Sequence, residues 1–128
     1  MRRGAVVLPI YDIEYDTGKG PRVFADGRRI VAPDILVFSE GKTCWIEAKH
    51  KTVFSLYFLR KQWVTGIDLH HYNQYREVQA ILDVPVWLIF LHRSPVPSAI
   101  DRRHKSCPPA CPVGLFGNSL EYLARHEN

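Results

Sequence analysis

Cysteine is scarce in this sequence, and no apolar run approaches the length of a membrane span. The three cysteines are Cys44, Cys107 and Cys111, an odd number and few for a disulfide framework in 128 residues. The longest apolar run, residues 84–91, is far shorter than the roughly 20 residues that a spanning helix needs. No charged segment followed by an apolar one opens the chain as a secretion signal would. We therefore expect a cytoplasmic protein with no membrane partner.

Motifs of nucleotide and ester hydrolysis are also missing. No glycine-rich loop is followed by Lys and Ser or Thr, and no serine stands in a nucleophile elbow. The sequence contains neither internal repeats nor low-complexity segments. It also lacks an acidic excess, because 17 Lys and Arg face 13 Asp and Glu, a formal net charge of +4. These observations give no support to a P-loop enzyme or a serine hydrolase, and they allow a nucleic-acid partner.

The pattern of apolar residues predicts an α/β fold. With 128 residues and 46% hydrophobic content, the chain has the size of one domain with a single core. Asp68 fits the N-cap of a helix whose apolar residues recur at helical spacing. The predicted order is strands at 4–10, 28–38 and 42–49, a helix at 68–83, a strand at 84–91, and a short closing helix at about 118–126. We expect residues 1–92 to form the core, with the proline- and cysteine-containing loop and short helix of 93–128 packed on the same domain.

Two other segments are less regular. Residues 11–27 are polar and interrupted by glycines and Pro21, which predicts a long connection. Residues 53–64 fit either an alternating strand or a helical spacing. Aromatic side chains stand there beside Arg60 and Lys61. This segment is therefore either a contact to DNA or a flap that covers the core.

Charged residues interrupt two apolar strands that meet at the turn Glu40-Gly41. Side chains alternate between the two faces of a strand, so Glu47 and Lys49 share one face. Cys44 lies on the other face, which we predict to be the core side. In a hairpin centred on this turn, Asp34 lies opposite Glu47. The two carboxylates are therefore predicted to converge, with the amine one pleat away.

Converging carboxylates repel each other unless a proton or a cation lies between them. Mg²⁺ takes one or two carboxylates together with waters and phosphate oxygens, and the main-chain carbonyl of Ala48 offers a further oxygen. Lys49 would then orient or deprotonate a metal-bound water and stabilise the developing charge. The substrate that best fits this pattern is a phosphodiester. The alternative, in which Asp34, Glu47 and Lys49 form salt bridges on an exposed face, stays open.

The segments Pro33-Asp34 and Glu47-Ala48-Lys49, with twelve residues between them, resemble the signature of the PD-(D/E)XK nuclease superfamily. That superfamily has the restriction-endonuclease-like fold and includes Holliday junction resolvases and phage and repair nucleases. Its core is a helix, three antiparallel strands, a helix and a final strand, and the elements predicted over about residues 4–92 follow that order after the first helix. The resemblance implies a central mixed sheet flanked by helices. It also implies that Asp34 and Glu47 bind Mg²⁺ or Mn²⁺ and that Lys49 assists the attacking water.

Two features depart from the family pattern. The family's leading helix often supplies another acid, but this chain begins almost at the first strand, so that helix is absent, replaced or supplied by another copy. Glu14 is either a substitute for that acid or a solvated loop charge. Several relatives place a Gln or Tyr of the following helix near the site, so Gln74 and Tyr75 are expected there, although Tyr75 also fits the apolar stripe. The tail from residue 93 onward lies outside the family core.

Basic and histidine side chains near the motif suggest contacts to substrate. His50, Lys51, Arg60 and Lys61 are the residues that we expect to bind it. His70 and His71 stand at the positive end of the predicted helix and offer a phosphate contact there. For these positions, exposed surface residues without a specific role are the alternative.

A second constellation lies in the tail. His104, Cys107 and Cys111 offer three ligands of a structural zinc site, and His92 offers a fourth. The spacing is not that of a standard zinc knuckle, and prolines interrupt it. Free thiols in a loop are the alternative interpretation.

Three functional hypotheses follow from these residues. The first is a metal-dependent nuclease that hydrolyses DNA phosphodiester bonds, as an endonuclease or an exonuclease. The second is a module of the same fold that binds nucleic acid without cutting it. The third is a small structural domain whose hairpin charges only pair with each other. Small members of such folds often pair to act on two strands, which makes a homodimer one expected assembly.

Overall fold

Strands predominate in the described part of the chain. The computed structural model describes residues 6–9, 21–51, 54–93 and 112–126. Its strands are β1 (Val6–Pro9), β2 (Arg22–Ala25), β3 (Arg28–Val31), β4 (Ile35–Ser39), β5 (Lys42–Lys51), β6 (Ser55–Tyr57), β7 (Gln62–Val64), β8 (Val86–His92) and β9 (Gly114–Ser119). Its helices are α1 (Leu69–Leu82) and α2 (Leu120–Arg125). The predicted α/β class is therefore confirmed.

Five strands form one sheet in the order β1-β4-β5-β8-β9. β4 lies antiparallel to β1 and to β5. β2 with β3, and β6 with β7, form two separate two-stranded sheets. Neither described helix is long and apolar enough to cross a membrane.

Two hairpins are closed by two-residue turns. Asp26 and Gly27 have φ values of 49° and 71°, and Glu40 and Gly41 have φ values of 48° and 75°. Positive φ at both central residues is the type I′ geometry, which matches the twist of the flanking strands. The second turn confirms the predicted hairpin. The first turn shows that the predicted connection at 11–27 was wrong in its last part, because β2 begins at Arg22.

The strand predicted at 28–38 is divided into β3 and β4. The break lies at Ala32-Pro33-Asp34. Pro33 has no N–H to donate to a neighbouring strand, so a ladder cannot continue through it. The N–H of Ala32 instead donates to the carbonyl of Pro21 at 3.0 Å. This break leaves Asp34 just ahead of β4 rather than within a regular strand.

Helix α1 begins as the sequence predicted. Asp68 is its N-cap, and its side chain accepts a hydrogen bond from the N–H of His71 at 2.9 Å. This bond, together with the His71 side chain, lowers the pKa of Asp68 to about 2. The helix ends at Asp83, which adopts a left-handed conformation. Tyr75 and Val78 are its buried residues.

The residues group in two compact units. The first unit contains residues 1–48, 68–88 and 118–128 of the chain, and the second contains residues 49–67 and 89–117. Buried apolar side chains, each at most 3% exposed, form the core of the first unit: Ile30, Ala32, Trp45, Tyr75, Val78, Val86, Leu88 and Leu120. The predicted division between residues 1–92 and 93–128 stays a prediction.

The second unit contains a small aromatic cluster around a buried histidine. The ring of His92 stacks on Phe54 with 4.1 Å between the ring centroids and meets the edge of Phe116 at 5.6 Å. Its Nε2 lies 3.0 Å from the hydroxyl of Thr65. The ambiguous segment at 53–64 is a strand hairpin here, formed by β6 and β7.

Candidate functional site

The β4–β5 hairpin brings Asp34 beside Glu47. Ile35 pairs with Ile46 in the antiparallel ladder, so the preceding residue, Asp34, lies opposite Glu47. The N–H of Ala48 donates to Oδ2 of Asp34 at 3.3 Å. The register that the turn and the strand period predicted is therefore confirmed. The carboxylate of Asp34 lies against the Glu47–Ala48 backbone.

Glu47 is buried, with 1% of its surface exposed. Trp45, two residues earlier on the same face of β5, is 3% exposed. Cys44 on the opposite face is only half-buried, so the prediction that Cys44 faces the core side was wrong. Strand alternation decides which residues share a face, but it does not decide which face a helix will cover. Here Tyr75 of α1 lies against the face that carries Glu47.

Tyr75 connects helix α1 to both carboxylates. Its side chain is 2% exposed, and Glu47 is the charged residue that acts most strongly on its hydroxyl. Burial raises the pKa of Tyr75, and the negative charges of Glu47 and Asp34 raise this pKa further. The hydroxyl therefore keeps its proton and remains a hydrogen-bond donor. Both carboxylates act electrostatically on the same buried hydroxyl, and the pairing of β4 with β5 sets Asp34 opposite Glu47.

The oxygen atoms at this point are of the kind that a hard divalent cation binds. Mg²⁺ in proteins is typically held by one or two carboxylates and keeps several waters. In an extended strand the N–H and C=O of one residue point to the same side. Since the N–H of Ala48 points to Asp34, its carbonyl is directed to that side as well. Two carboxylates and one carbonyl fit Mg²⁺ or Mn²⁺.

The described residues contain no group of three or more His, Cys, Asp or Glu side chains that could hold a metal ion. The carboxylates of the site are thus two, Asp34 and Glu47, in the part of the chain that the structure describes. Glu14, the predicted substitute for a third acid, lies outside the described residues. A cation at this site would therefore complete its coordination with water and with substrate oxygens.

Lys49 follows Glu47 by two residues on β5. Strand alternation turns its side chain to the same side of the strand as Glu47. The side chain is half-buried. The order carboxylate, carbonyl, amine along β5 is therefore the one that the sequence predicted, and the role of the amine stays a prediction.

The side chain of Gln74 links α1 to β3 by a hydrogen bond. Its Oε1 accepts a hydrogen bond from the N–H of Val31, and its Nε2 lies 2.6 Å from Nε2 of His70. His71 is held by the N-cap, with 2.6 Å between its Nδ1 and Oδ2 of Asp68. These contacts give Gln74 a positioning role for the helix that carries Tyr75. The auxiliary role of Gln74 and the phosphate contacts of His70 and His71 stay predictions.

The residues expected to bind substrate belong to the second unit. His50, Arg60 and Lys61 are exposed, and Lys51 is half-buried. His104, Cys107 and Cys111, the predicted zinc ligands, lie outside the described residues. His92, which was offered as their fourth ligand, is instead stacked in the aromatic cluster with its Nε2 at the Thr65 hydroxyl.

Tyr75 was predicted to lie either near the site or on the apolar stripe of the helix. Its ring is buried in the core, and the Glu47 carboxylate acts on its hydroxyl. The available signal was the position of Tyr75 on the apolar stripe of a helix that follows the hairpin. A tyrosine on such a stripe needs a polar partner for its hydroxyl, and a buried carboxylate provides one.

Comparison with protein-family models, with curated proteins and with solved structures finds no match to this chain.

Proposed function

We propose that this chain is a divalent-metal-dependent nuclease that hydrolyses DNA phosphodiester bonds. The observation that carries the proposal is the strand register that sets Asp34 opposite the buried Glu47, with the N–H of Ala48 donating to Asp34. A buried carboxylate beside a second carboxylate is costly for stability unless the two have hydrogen-bond donors or a counter-charge. Such a cost is common at sites that bind a ligand.

A cation is the counter-charge that best fits this pair. The Ala48 N–H donates to Asp34, and Tyr75 is buried beside Glu47. Neither the amide nor the phenol carries a formal charge, so neither supplies a counter-charge to the carboxylates. Asp34, Glu47 and the carbonyl of Ala48 would hold Mg²⁺ or Mn²⁺. When bound, that ion would polarise the phosphodiester and stabilise the negative charge of the transition state.

The protein side chains would position the reactants. Lys49 would hold the attacking water and donate to a phosphate oxygen as negative charge develops there. Tyr75 would fix the orientation of the Glu47 carboxylate by donating to one of its oxygens. Asp34 would be fixed in the same way by the N–H of Ala48. Both carboxylates would thereby be preorganised before substrate arrives.

The order of elements supports a restriction-endonuclease-like core. The antiparallel neighbours β1, β4 and β5 are followed, after the β6–β7 hairpin, by α1 and then by β8, which joins the same sheet. Apart from two hairpins, the family pattern has the same succession after its leading helix. The β2–β3 hairpin would be an insertion between the first and second strands of that core, and the β6–β7 hairpin an insertion between its third strand and the helix that follows. We propose membership of the PD-(D/E)XK superfamily on this order together with the Asp34, Glu47 and Lys49 motif.

A nucleic-acid-binding module that does not cut is the second candidate. It is favoured by the small number of carboxylates at the site, which is two in the described part of the chain. A nuclease and a module of this kind differ in one observable. Only the nuclease breaks the DNA backbone when a divalent cation is added.

The test is incubation of supercoiled, linear and branched DNA with the protein in Mg²⁺, in Mn²⁺ and in EDTA. Wild type is expected to cut in the presence of either cation and not in EDTA. Asp34→Asn and Lys49→Ala are expected to lower the cleavage rate by about 100-fold or more, since each removes a group acting on the reacting atoms or their cation. Asp83→Asn and Lys42→Ala are the matched controls, because both side chains lie exposed at turns.

Wild-type binding to DNA without cleavage under every metal condition would favour the second candidate. Equal cleavage by wild type and Asp34→Asn would exclude the proposed site. It would also indicate that a contaminating nuclease or another part of the chain is responsible.

A further inference from the structure

Charge is divided unequally between the two units. The second unit contains eight Lys and Arg and one acid, a formal net charge of +7. The first unit contains the other nine Lys and Arg with twelve acids, a formal net charge of −3. The basic residues of the second unit are Lys49, Lys51, Arg60, Lys61, Arg93, Arg102, Arg103 and Lys105, and its acid is Asp101. A polyanion is therefore the partner that the second unit favours electrostatically.

The β6–β7 hairpin carries large apolar side chains in water. At its tip, Phe58 is 71% exposed and Leu59 is 85% exposed. Trp63 on β7 is 37% exposed, and Tyr57, on the opposite face of the hairpin, is 44% exposed. Single exposed apolar residues are normal on a protein surface, but several on one short hairpin mark an interaction site.

The hairpin tip is also basic and well defined. Arg60 and Lys61 follow directly after Leu59, and both are exposed. The N–H of Arg60 donates to the carbonyl of Tyr57 at 3.3 Å, and Lys61 has a φ of 51°, so the turn closes in a defined conformation. No acid occurs anywhere between Lys49 and Ile67.

Proteins bind nucleic-acid strands with unpaired bases through exposed aromatic side chains next to Lys and Arg side chains. The rings stack on base faces, and the cations contact phosphates. In a duplex each base face is covered by its neighbours, so stacking of this kind requires bases that are single-stranded, flipped out or at a junction.

We propose that the β6–β7 hairpin binds unpaired bases of a DNA strand, with Phe58 and Trp63 as stacking platforms and Arg60 and Lys61 as phosphate contacts. The inference rests on the proposed nuclease function for its biological meaning, and it deepens that function by naming the substrate class. The substrate would be single-stranded, branched or frayed DNA rather than continuous duplex.

The test is binding in EDTA, where no metal-dependent cleavage occurs. The probe is a fluorescently labelled oligonucleotide of about 16 nucleotides, used alone and as a blunt duplex with its complement. Wild type is expected to bind the single strand more tightly. Phe58→Ala and Trp63→Ala are each expected to weaken single-strand binding by about tenfold, with little change in duplex binding. Phe58→Trp is expected to retain single-strand affinity, because the larger ring can still stack.

The matched control is Phe24→Ala. Phe24 is 72% exposed, as Phe58 is, but it lies on β2 in the first unit. Its removal is expected to leave both affinities unchanged. Replacing Arg60 and Lys61 together by alanine is expected to weaken both complexes and to reduce the salt dependence of binding.

Unchanged single-strand affinity in Phe58→Ala and Trp63→Ala would overturn the proposal, as would an equal loss for strand and duplex. Loss of self-association in Phe58→Ala, with strand binding intact, would identify the tip as a contact between copies and would also overturn it. The same experiments distinguish failure of the nuclease proposal from failure of the hairpin proposal. A chain that binds single strands through Phe58 but cuts nothing in Mg²⁺ refutes cleavage alone, and a chain that cuts DNA equally well without Phe58 refutes the hairpin alone.

Discussion

Glu47 is a carboxylate at a position where a strand under a helix usually carries an apolar side chain. Its 1% exposure shows that the fold has removed it from water. Tyr75 is buried beside it, and the Tyr75 hydroxyl keeps its proton because burial and the carboxylate charges raise its pKa. At the scale of single residues, the site is therefore a buried carboxylate, a second carboxylate opposite it on the neighbouring strand, and a buried phenol.

Tyr75→Phe tests this arrangement directly. The hydroxyl is a buried polar group on which the charge of Glu47 acts, and its removal leaves the buried carboxylate in less polar surroundings. We expect the free energy of unfolding to fall by about 1–3 kcal/mol. Urea unfolding in EDTA measures it.

The control is Tyr57→Phe, which removes a hydroxyl from a side chain that is 44% exposed. It is expected to change stability very little, because water satisfies that hydroxyl in the wild type. If Tyr75→Phe and Tyr57→Phe have the same free energy of unfolding, the Tyr75 hydroxyl beside Glu47 does not stabilise the folded protein.

His92 makes stability depend on pH. Burial lowers its pKa below the ordinary 6.5, and the positive charges of Lys51 and His50 lower it further. The unfolded chain therefore binds a proton at a higher pH than the folded chain does. The stability contributed by neutral His92 is complete above pH 6.5 and is lost as the pH falls through the lowered pKa.

The measurement is the urea midpoint between about pH 8 and about pH 5, in wild type and in His92→Phe. A phenyl ring can retain the stack on Phe54 but cannot titrate. We expect a smaller fall in midpoint with acid for His92→Phe than for wild type. Identical curves for the two proteins would refute the role of His92.

At the scale of elements, the β4–β5 turn sets the register that aligns Asp34 with Glu47. Gly41 has a φ of 75°, which is favourable for glycine and costly for a residue with a side chain. Gly41→Ala is expected to lower the free energy of unfolding by roughly 1–2 kcal/mol, as measured by chemical denaturation.

Gly66→Ala is the matched control for the turn. Neither glycine has a neighbouring atom within 4 Å of an added Cβ, and only Gly41 of the two has a left-handed φ. The two substitutions therefore differ in backbone conformation rather than in steric space. Equal effects of both would mean that the turn conformation is not what stabilises the hairpin.

Local sequence signals predicted most of the elements near the site. The Glu40-Gly41 turn, the Asp68 cap and the apolar run of β8 each act over a few residues, so they can be identified from the sequence. Pro33 was noted as an irregularity, but its effect, the division of one predicted strand into β3 and β4, was not predicted. Asp26-Gly27 is a sequence typical of a hairpin turn, but it was included in the polar connection predicted at 11–27.

At the scale of the whole molecule, the sequence did not predict which face of the β4–β5 hairpin helix α1 covers. The strand period placed Glu47 and Cys44 on opposite faces, which is correct. Which face helix α1 would cover depends on tertiary packing between segments far apart in the chain. Tyr75 could be assigned its contact with Glu47 only once that packing was known.

The charge distribution is the other property of the whole molecule. A net charge of +4 is modest, but it combines a second unit of +7 with a first unit of −3. The carboxylate pair lies in the first unit, and the basic hairpin lies in the second.

The central claim is that Asp34 and Glu47 form a divalent-cation site. The most direct measurement is a titration of the protein with Mn²⁺, followed by the electron paramagnetic resonance signal of the free ion. Wild type and the control Asp83→Asn are predicted to bind Mn²⁺ at a site from which excess Mg²⁺ displaces it, whereas Asp34→Asn and Glu47→Gln are predicted to lose that site. Wild type that binds no Mn²⁺, or an Asp34→Asn variant that binds it as wild type does, would contradict the claim.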